Sequence, residues 1–554
     1  MAKFAFRPRI VESLRVYRRE DFAADLASGV TVGVVALPLA MAFGIASGVK
    51  PEQGIFTAII AGFLISALGG SKVQIGGPAG AFVALLYGVV ERYGVANLLI
   101  ATMMAGVLMF AIGALRLGNL IRFIPVSIVI GFTNGIAVII ALQQVKDFLG
   151  LAIEKMPSNY FSQIAAIASH LHSVNWSALG LGVLSLMVIV VWPKSYKPND
   201  SAWKRWMARV PGTIVVLAIG TLFVTVFHAP VETIGSRFGG IPQGLPAPAL
   251  PAFEWEQVRN LVGPILSIAL LGAIESLLCA RVADGMIQDR HDPNQELMAQ
   301  GVANFVTPFF GGIAATGTIA RTVTNVRTGA RTPVAGIVHA LTLLAIVLML
   351  APLASDIPLS VLAAILLFVA FNMGDWKAFG RLRQFSINYR TIMLSTFLLT
   401  VVFDITVAVE IGLVLASLFF ILRISSLTRL EPLDIPGFAP RADGRRVGVW
   451  RLFGSLFFGS VTKLEQLLDP ANPLPDVVVL EMDKVINMDT TGLDALESLL
   501  RMLRSRGGRL VIAELNAQPV SLMRRSGFYD ELGAPNVFDS LEEALEAAHS
   551  DPMP

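Results

Sequence analysis

Fourteen apolar segments of spanning or near-spanning length follow one another along this chain, at about 24–48, 51–68, 78–91, 95–115, 120–141, 175–192, 210–228, 262–280, 296–311, 318–328, 334–351, 357–372, 390–404 and 406–422. No water-soluble core needs so many in series, so the chain reads as a polytopic all-α membrane protein. Composition agrees: 54% of the 554 residues are hydrophobic and 15% charged, with a mean hydropathy of +0.67, where a soluble domain carries about 25% charge. Several segments, 78–91 and 318–328 among them, fall short of the ~20 residues of a complete span and read as half-helices that meet another segment near mid-membrane.

Charge sets the expected orientation. Counting from a cytoplasmic N-terminus, alternate connections carry Lys72; Arg116 and Arg122; Lys194, Lys197, Lys204, Arg205 and Arg209; Arg281 and Arg290; Arg327 and Arg331; and Lys377, Arg381, Arg383 and Arg390. The remaining connections hold chiefly Lys50, Arg92, Lys155, Arg237 and Arg259, mostly beside acids. This positive-inside bias predicts an even number of spans with both ends cytoplasmic. Residues 1–23 lack the apolar stretch and cleavage pattern of a signal peptide and read as an amphipathic cytoplasmic lead-in.

Other classes are disfavoured on the same grounds. A formal net charge of +3 argues against nucleic acid as a partner. The single cysteine, Cys279, excludes an intrachain disulfide framework and a four-cysteine metal site; it lies in an apolar run and reads as a small buried side chain. No phosphate-binding GxxxxGK[ST] loop, metal-spaced histidine pair or serine nucleophile motif occurs, and His291 and His339 have no neighbouring ligand set. No enzyme activity, cofactor or metal is expected, and transport would draw on an ion or proton gradient.

Two glycine-rich breaks organise the apolar part. In GGSKVQIGGPAGAFVALL, from Gly69 to Leu86, glycines and Pro78 open directly into a helix, and proline suits a first helical turn. Backbone that leaves the helix at membrane depth is tolerated where protein or a water-filled cavity satisfies it, so Gly76, Gly77, Pro78, Ala79 and Gly80 read as the lining of a site, or else as a turn before an ordinary helix. The second break, PFFGGIAATGTIARTVTNVRTG from Pro308 to Gly329, repeats the pattern with Gly311, Gly312 and Gly317. Paired interruptions of this kind point to a binding site at the interface of inverted repeats. Pro38, inside the first segment, predicts a kink or break there.

Ionisable residues in apolar runs are functional candidates by default. Glu275 follows fourteen uncharged residues, Leu261 to Ile274, and reads as a proton-coupling group or a structural hydrogen-bonding group. Arg321 begins the short helix after the second break, where its guanidinium and the first-turn N–H groups can act on one anion, with a salt bridge as the alternative. Asn134 and Gln143 or Gln144 read as links between helices, and Asp404 and Glu410 flank the turn between the last two segments.

Several stretches together carry a family resemblance: DLASGVTVGVVALPLAMAFGIASGV from Asp25, GGPAGAF from Gly76, GALRLGNLIRFIPVSIVIGFTNGI from Gly113, LLGAIESLLCA from Leu270 and FFGGIAATGTIARTVTNVRTGARTPVAG from Phe309. The chain resembles the sulfate permease (SulP) anion transporters over essentially its whole length, most of all their bacterial proton-coupled C4-dicarboxylate branch. The resemblance implies fourteen transmembrane segments in two inverted seven-segment repeats, divided into core and gate domains that move by an elevator-type shift. It places the anion between Gly77, Pro78, Ala79 and Gly80 on one side and Thr318, Ala320 and Arg321 on the other, with Glu275 as the acidic coupling residue. Sodium-coupled bicarbonate relatives carry aspartate and, four residues on, threonine where this chain has Glu275 and Cys279, which favours protons. Alanine at 320, where exchangers of the family have serine, keeps their anion preference from being carried over. A homodimer in the bacterial inner membrane, in contact with lipid, is likewise implied.

Beyond Arg423 the composition changes to short Val-rich strands alternating with charged amphipathic helices, a small α/β domain. The expected division is 24–425 transmembrane, 426–440 linker, 441–547 cytoplasmic domain and 548–554 disordered tail. Met488 to Gly492 resemble the helix start of STAS domains, which end chains of this family. There Asp489 or Thr490 can cap the helix, and Thr490 and Thr491 are candidates for a phosphorylation switch. A soluble partner docking on this domain is the other expectation.

The leading functional expectation is proton-coupled symport of a small anion, a C4-dicarboxylate (succinate, fumarate or aspartate) or sulfate. The alternatives are a bicarbonate, chloride or other anion exchanger, an uncoupled anion channel, or a membrane scaffold acting through its STAS domain.

Overall fold

The computed structural model describes residues 6–119, 125–153, 156–157, 159–193, 210–251, 259–403, 405–435, 445–465, 467 and 475–550. The chain forms two compact units, Met1–Leu413 and Val414–Pro554. The first is all-helical apart from two short strands. Its principal elements are α1 (Arg19–Ala46), α2 (Pro51–Leu68), β1 (Gly76–Gly77), α3 (Gly80–Ala114), α4 (Val126–Leu149), α5 (Trp176–Val191), α6 (Gly212–Phe227), α7 (Val262–Ile287), α8 (Pro293–Val306), β2 (Thr316–Gly317), α9 (Ile319–Arg327), α10 (Val334–Ala354), α11 (Leu359–Met373), α12 (Ile387–Val402) and the start of α13 (Ile405–Leu427), whose residues from Val414 on belong to the second unit.

The structure corrects the expected count of fourteen transmembrane segments. Among the described residues, seven helices are long and apolar enough to cross a bilayer, α1, α2, α3, α4, α7, α10 and the Val407–Leu427 part of α13, or eight if α5 and Tyr160–Ser173, bent by 116°, count as one. The difference has a physical source. α9 has nine residues, about 14 Å at ~1.5 Å per residue, less than half of a ~30 Å hydrocarbon core. α3 joins the segments 78–91 and 95–115 across Gly94, whose φ of 82° and ψ of 169° interrupt the helix. Pro38 lies within one continuous helix, so of the kink or break expected there the break does not occur.

Small residues let these helices approach. A Cβ on Gly106 would stand 2.7 Å from the Gly301 carbonyl oxygen, and one on Gly301 would stand 2.7 Å from that of Gly106, so α3 and α8 touch backbone to backbone. Such packing is what helices use where lipid removes the hydrophobic drive between them. The outward faces of α5 and α6 stay apolar and exposed, with Val190, Val191, Leu222 and Phe227 at 57–81%, as contact with lipid requires.

The second unit is an α/β fold. Its strands are β3 (Arg429–Pro432), β4 (Val447–Leu456), β5 (Val477–Glu481), β6 (Val485–Met488), β7 (Arg509–Ala513) and β8 (Val537–Phe538), with α14 (Thr490–Ser505), α15 (Ala517–Ser526) and α16 (Leu541–Ser550). The order is β3-β4-β5-β7-β8, with β6 also on β4; only β3 runs antiparallel to its neighbour. β5 is buried throughout, because one face packs on Leu496, Leu499 and Leu503 of α14 and the other on Ala544 and Ala548 of α16. Parallel strands covered on both sides read as continuous Val-rich runs. β3 occupies part of the stretch expected as a linker, and α16 reaches into the expected tail.

Candidate functional site

The two glycine-rich breaks meet. Gly76 pairs with Gly317 and Gly77 with Thr316 in an antiparallel two-residue ladder. Each strand supplies the hydrogen bonds that the other lost on leaving the helix. Helix α3 starts three residues after β1 and α9 two residues after β2, and neither Ala79 nor Thr318 caps its helix with a side chain. Phe82 N–H turns back to the Ala79 carbonyl at 3.1 Å; the other N–H groups of both first turns are open at the crossing, where the helix dipoles favour negative charge.

Gly77, Pro78, Ala79 and Gly80 are all buried. Thr318 is 7% exposed, and its backbone N–H (2.8 Å) and hydroxyl (2.9 Å) both donate to the Ile75 carbonyl, so its side chain fixes the crossing. Ala320 is exposed, whereas Arg321 is 2% exposed. The Arg321 guanidinium lies against Gly77, where a Cβ would stand 2.5 Å from Nη1. Its two terminal nitrogens make no hydrogen bond with the described residues. Arg321 is also the only lysine or arginine in 73–91 and 312–326.

Helix α7 brings Glu275 to this region through its neighbours. Ser276 Oγ is 2.7 Å from Thr316 Oγ1, the Ser276 carbonyl accepts from Gln74 Nε2 at 3.2 Å, and Cys279 Sγ is 3.2 Å from Thr322 Oγ1. Cys279 is fully buried. Glu275 itself is half-buried and makes no hydrogen bond or ion pair with the described residues. Glu410 is exposed, and Asp404 lies outside the described residues.

The polar groups that hold the crossing were missed in the sequence. Glu296 is fully buried; its carboxylate accepts from Gly70 N–H (2.9 Å), Ser71 N–H (3.2 Å) and Gln300 Nε2 (3.0 Å) and so fixes the approach to β1. Asn304 clamps Ala315 with two bonds, accepting from its N–H at 2.8 Å and donating to its carbonyl at 2.9 Å. Thr57 Oγ1 accepts from Ile313 N–H at 2.7 Å, and Asn325 Nδ2 donates to the Val73 carbonyl at 2.8 Å. Asp25, also fully buried, accepts from Arg331 N–H (2.7 Å), Thr332 N–H (3.1 Å) and the Thr332 hydroxyl (2.5 Å), anchoring the far end of α9. The rule that flags intramembrane acids applies equally to Asp25 and Glu296; their positions near helix ends concealed them.

A cavity of about 1110 Å³ opens where α1 leads into α2, lined among others by Lys50, Glu52, Glu91, Lys146, Asp147 and Arg237. Arg237 is paired with Asp147 at 2.7 Å and with Glu232. None of the site residues expected from sequence lines this cavity.

In the second unit, Asp489 caps α14, its Oδ1 accepting from Gly492 N–H at 2.8 Å, while Thr490 and Thr491 are exposed on the first turn. Glu481, Asp483 and Glu514 cluster nearby. Their carboxylates are engaged: Glu481 by a bidentate Arg451 at 2.5 and 2.7 Å, Asp483 by Lys484 at 2.6 Å, and Glu514 by Leu541 N–H at 3.1 Å.

The profile of the sulfate permease family matches residues 22–396, and that of the STAS domain matches residues 442–544. The putative sulfate transporter YvdB of Bacillus subtilis is 40% identical over 95% of this chain and 98% of its own. Among solved structures, the transmembrane domain of a cyanobacterial bicarbonate transporter, BicA, is 32% identical, covering 71% of this chain and 98% of that one with a TM-score of 0.63. The murine anion transporter Slc26a9 in its inward-facing state shares the fold, with a TM-score of 0.85 over 100% of this chain and 96% of that one at 18% identity.

Proposed function

The chain belongs to the sulfate permease family, whose members are secondary transporters of small anions and not enzymes, and from that premise we propose that its substrate is a small inorganic oxyanion, bicarbonate or sulfate. The anion binds at the crossing of β1 and β2, between the first turns of α3 and α9. The observation that carries this reading is the pair of uncapped helix starts converging beside one buried cation, Arg321. Such a site offers a single centre of positive potential, suited to an anion whose charge sits on one compact group. A C4-dicarboxylate carries two separated charges, and the stretches flanking the crossing hold no second basic side chain. The names of the relatives, for sulfate and bicarbonate, also favour an inorganic anion over the dicarboxylate expected from the sequence.

In this reading Glu275 couples transport to protons. An unpaired carboxylate beside an anion site repels the substrate when ionised and ceases to when protonated. The crossing moves as part of a core domain against a gate domain, the two breaks belonging to oppositely oriented repeats, in a homodimer of the bacterial inner membrane with both termini cytoplasmic. Thr490 and Thr491 remain candidates for regulation and the STAS surface for a soluble partner.

Uptake into proteoliposomes of labelled bicarbonate, sulfate and succinate, each at pH 6 and pH 8, tests the proposal. Saturable uptake of one or both inorganic anions, faster at the lower external pH and uncompeted by succinate, is expected. Efficient succinate uptake would overturn the substrate assignment. An exchanger on the same scaffold would instead give counterflow indifferent to the proton gradient.

A further inference from the structure

Behind the crossing, on the side of α2, His339 and Ser66 add buried polar atoms that the anion site itself does not use. Ala58, Gly62 and Ser66 are spaced four residues apart on α2 and so share one face. A Cβ on Gly77 would stand 3.5 Å from Ala58 Cα as well as 2.5 Å from Arg321 Nη1. One on Gly62 would stand 3.1 Å from the Gly76 carbonyl oxygen and 3.5 Å from His339 Nδ1, and one on Gly336 would stand 2.0 Å from Ser66 Oγ. Arg321 of α9, His339 of α10 and Ser66 of α2 itself are thus met in turn along the same strip of α2, Arg321 by way of Gly77 in β1.

All three are shut away from solvent, at 2%, 0% and 4% exposure. Arg321 Nη1 and Nη2, His339 Nδ1 and Nε2, and Ser66 Oγ make no hydrogen bond with the described residues. Buried polar atoms are almost always satisfied, and where protein does not do so ordered water does, typically with about three hydrogen bonds each.

The chemistry of the set is informative. Arginine only donates, whereas a neutral imidazole offers one acceptor and one donor. The other buried acids of the unit, Asp25 and Glu296, are engaged by loop N–H groups and side chains of their own. A carboxylate in the place of His339 would neutralise the guanidinium and blunt its pull on an anion; a neutral acceptor orients the same group and leaves its charge intact.

We infer that ordered water enclosed between α2, α10 and β1 bridges His339 to the Arg321 guanidinium, making His339 a positioning residue for the anion site. The inference rests on the proposed placement of Arg321 at that site. His339 touches no substrate; it fixes where the cation stands.

The test is transport kinetics in proteoliposomes with labelled bicarbonate and labelled sulfate as probes. His339→Phe fills the compartment and removes the acceptor, and His339→Ala empties it, so a folding failure of one, seen by gel filtration and thermal unfolding, leaves the other to be read. KM is expected to rise by about tenfold in both with Vmax little changed, as for loss of a hydrogen bond to a charged group. His339→Gln, which restores a neutral acceptor, should recover most of the loss. Combined with Arg321→Lys, His339→Phe should add little further. An unchanged KM, a fall confined to Vmax, or equal damage from Gln and Phe would overturn the inference. Failure of the underlying reading is distinguishable: no uptake of either probe by the wild type, or an Arg321→Lys protein with unaltered KM, would sink the anion site itself.

Discussion

At the scale of single residues, the anion site depends on atoms that are absent as much as on those present. Gly77 is one case. An alanine there would put its Cβ 2.5 Å from Arg321 Nη1, at a φ of 153° that side chains seldom adopt. The obstructing atom is the tip of a flexible side chain, so Gly77→Ala should displace the cation and raise substrate KM in reconstituted protein, while the strained backbone lowers the thermal unfolding midpoint. Glu296 is the opposite case. Three N–H donors converge on its carboxylate, and Glu296→Ala would strand the Gly70 and Ser71 N–H groups in a dry interior. Each buried unsatisfied group costs about 1–3 kcal/mol. Thermal unfolding in detergent should show a lower midpoint, while Glu296→Gln, which keeps one acceptor oxygen, should lose less. At Glu275 the neutral isostere Glu275→Gln should abolish substrate-driven proton uptake into liposomes while substrate counterflow persists; intact coupling would remove Glu275 from the mechanism.

At the scale of elements, α3 and α8 touch backbone to backbone. Gly301→Ala would bring a Cβ within 2.5 Å of Phe110 N and 2.7 Å of the Gly106 carbonyl, both backbone atoms that cannot rotate away. Overpacking of this kind typically costs about 1–3 kcal/mol, and the expected result is a lowered unfolding midpoint together with impaired uptake, since α8 also carries Glu296 and Asn304. In the STAS unit, Asp489→Ala should raise amide hydrogen exchange across the first turn of α14, at a cost of about 1 kcal/mol, and Thr490→Ala should not, because Asp489 alone accepts the capping bond. These elements also mark where sequence reading succeeds. The breaks were legible because glycine density and short apolar length are local, and the Val-rich strands because they are buried on both faces. Full span length was not: local apolarity could not reveal that 78–91 and 95–115 join into one helix across Gly94. Nor could it pair Glu296 with Gly70, 226 residues away, or Asp25 with Arg331, 306 away. Arg321 was legible as a cation at a helix start, but its resting place against Gly77 belongs to tertiary structure.

At the scale of the whole molecule, every residue assigned to the anion site and its supports lies in the first compact unit. Truncation after residue 440 should therefore leave the substrate KM unchanged in whatever protein reaches the membrane, while the amount reaching it reports on the STAS unit; a changed KM would show that the second unit acts on the site. The two-residue ladder between β1 and β2 has a consequence for the transport cycle. It rivets one half-helix to the other, so neither N-terminus can advance without taking its counterpart along. A site fastened in this way keeps its internal dimensions wherever it stands in the bilayer. The dissociation constants measured from right-side-out and inside-out vesicles at matched pH should then agree, and net direction would be set by the gradients alone.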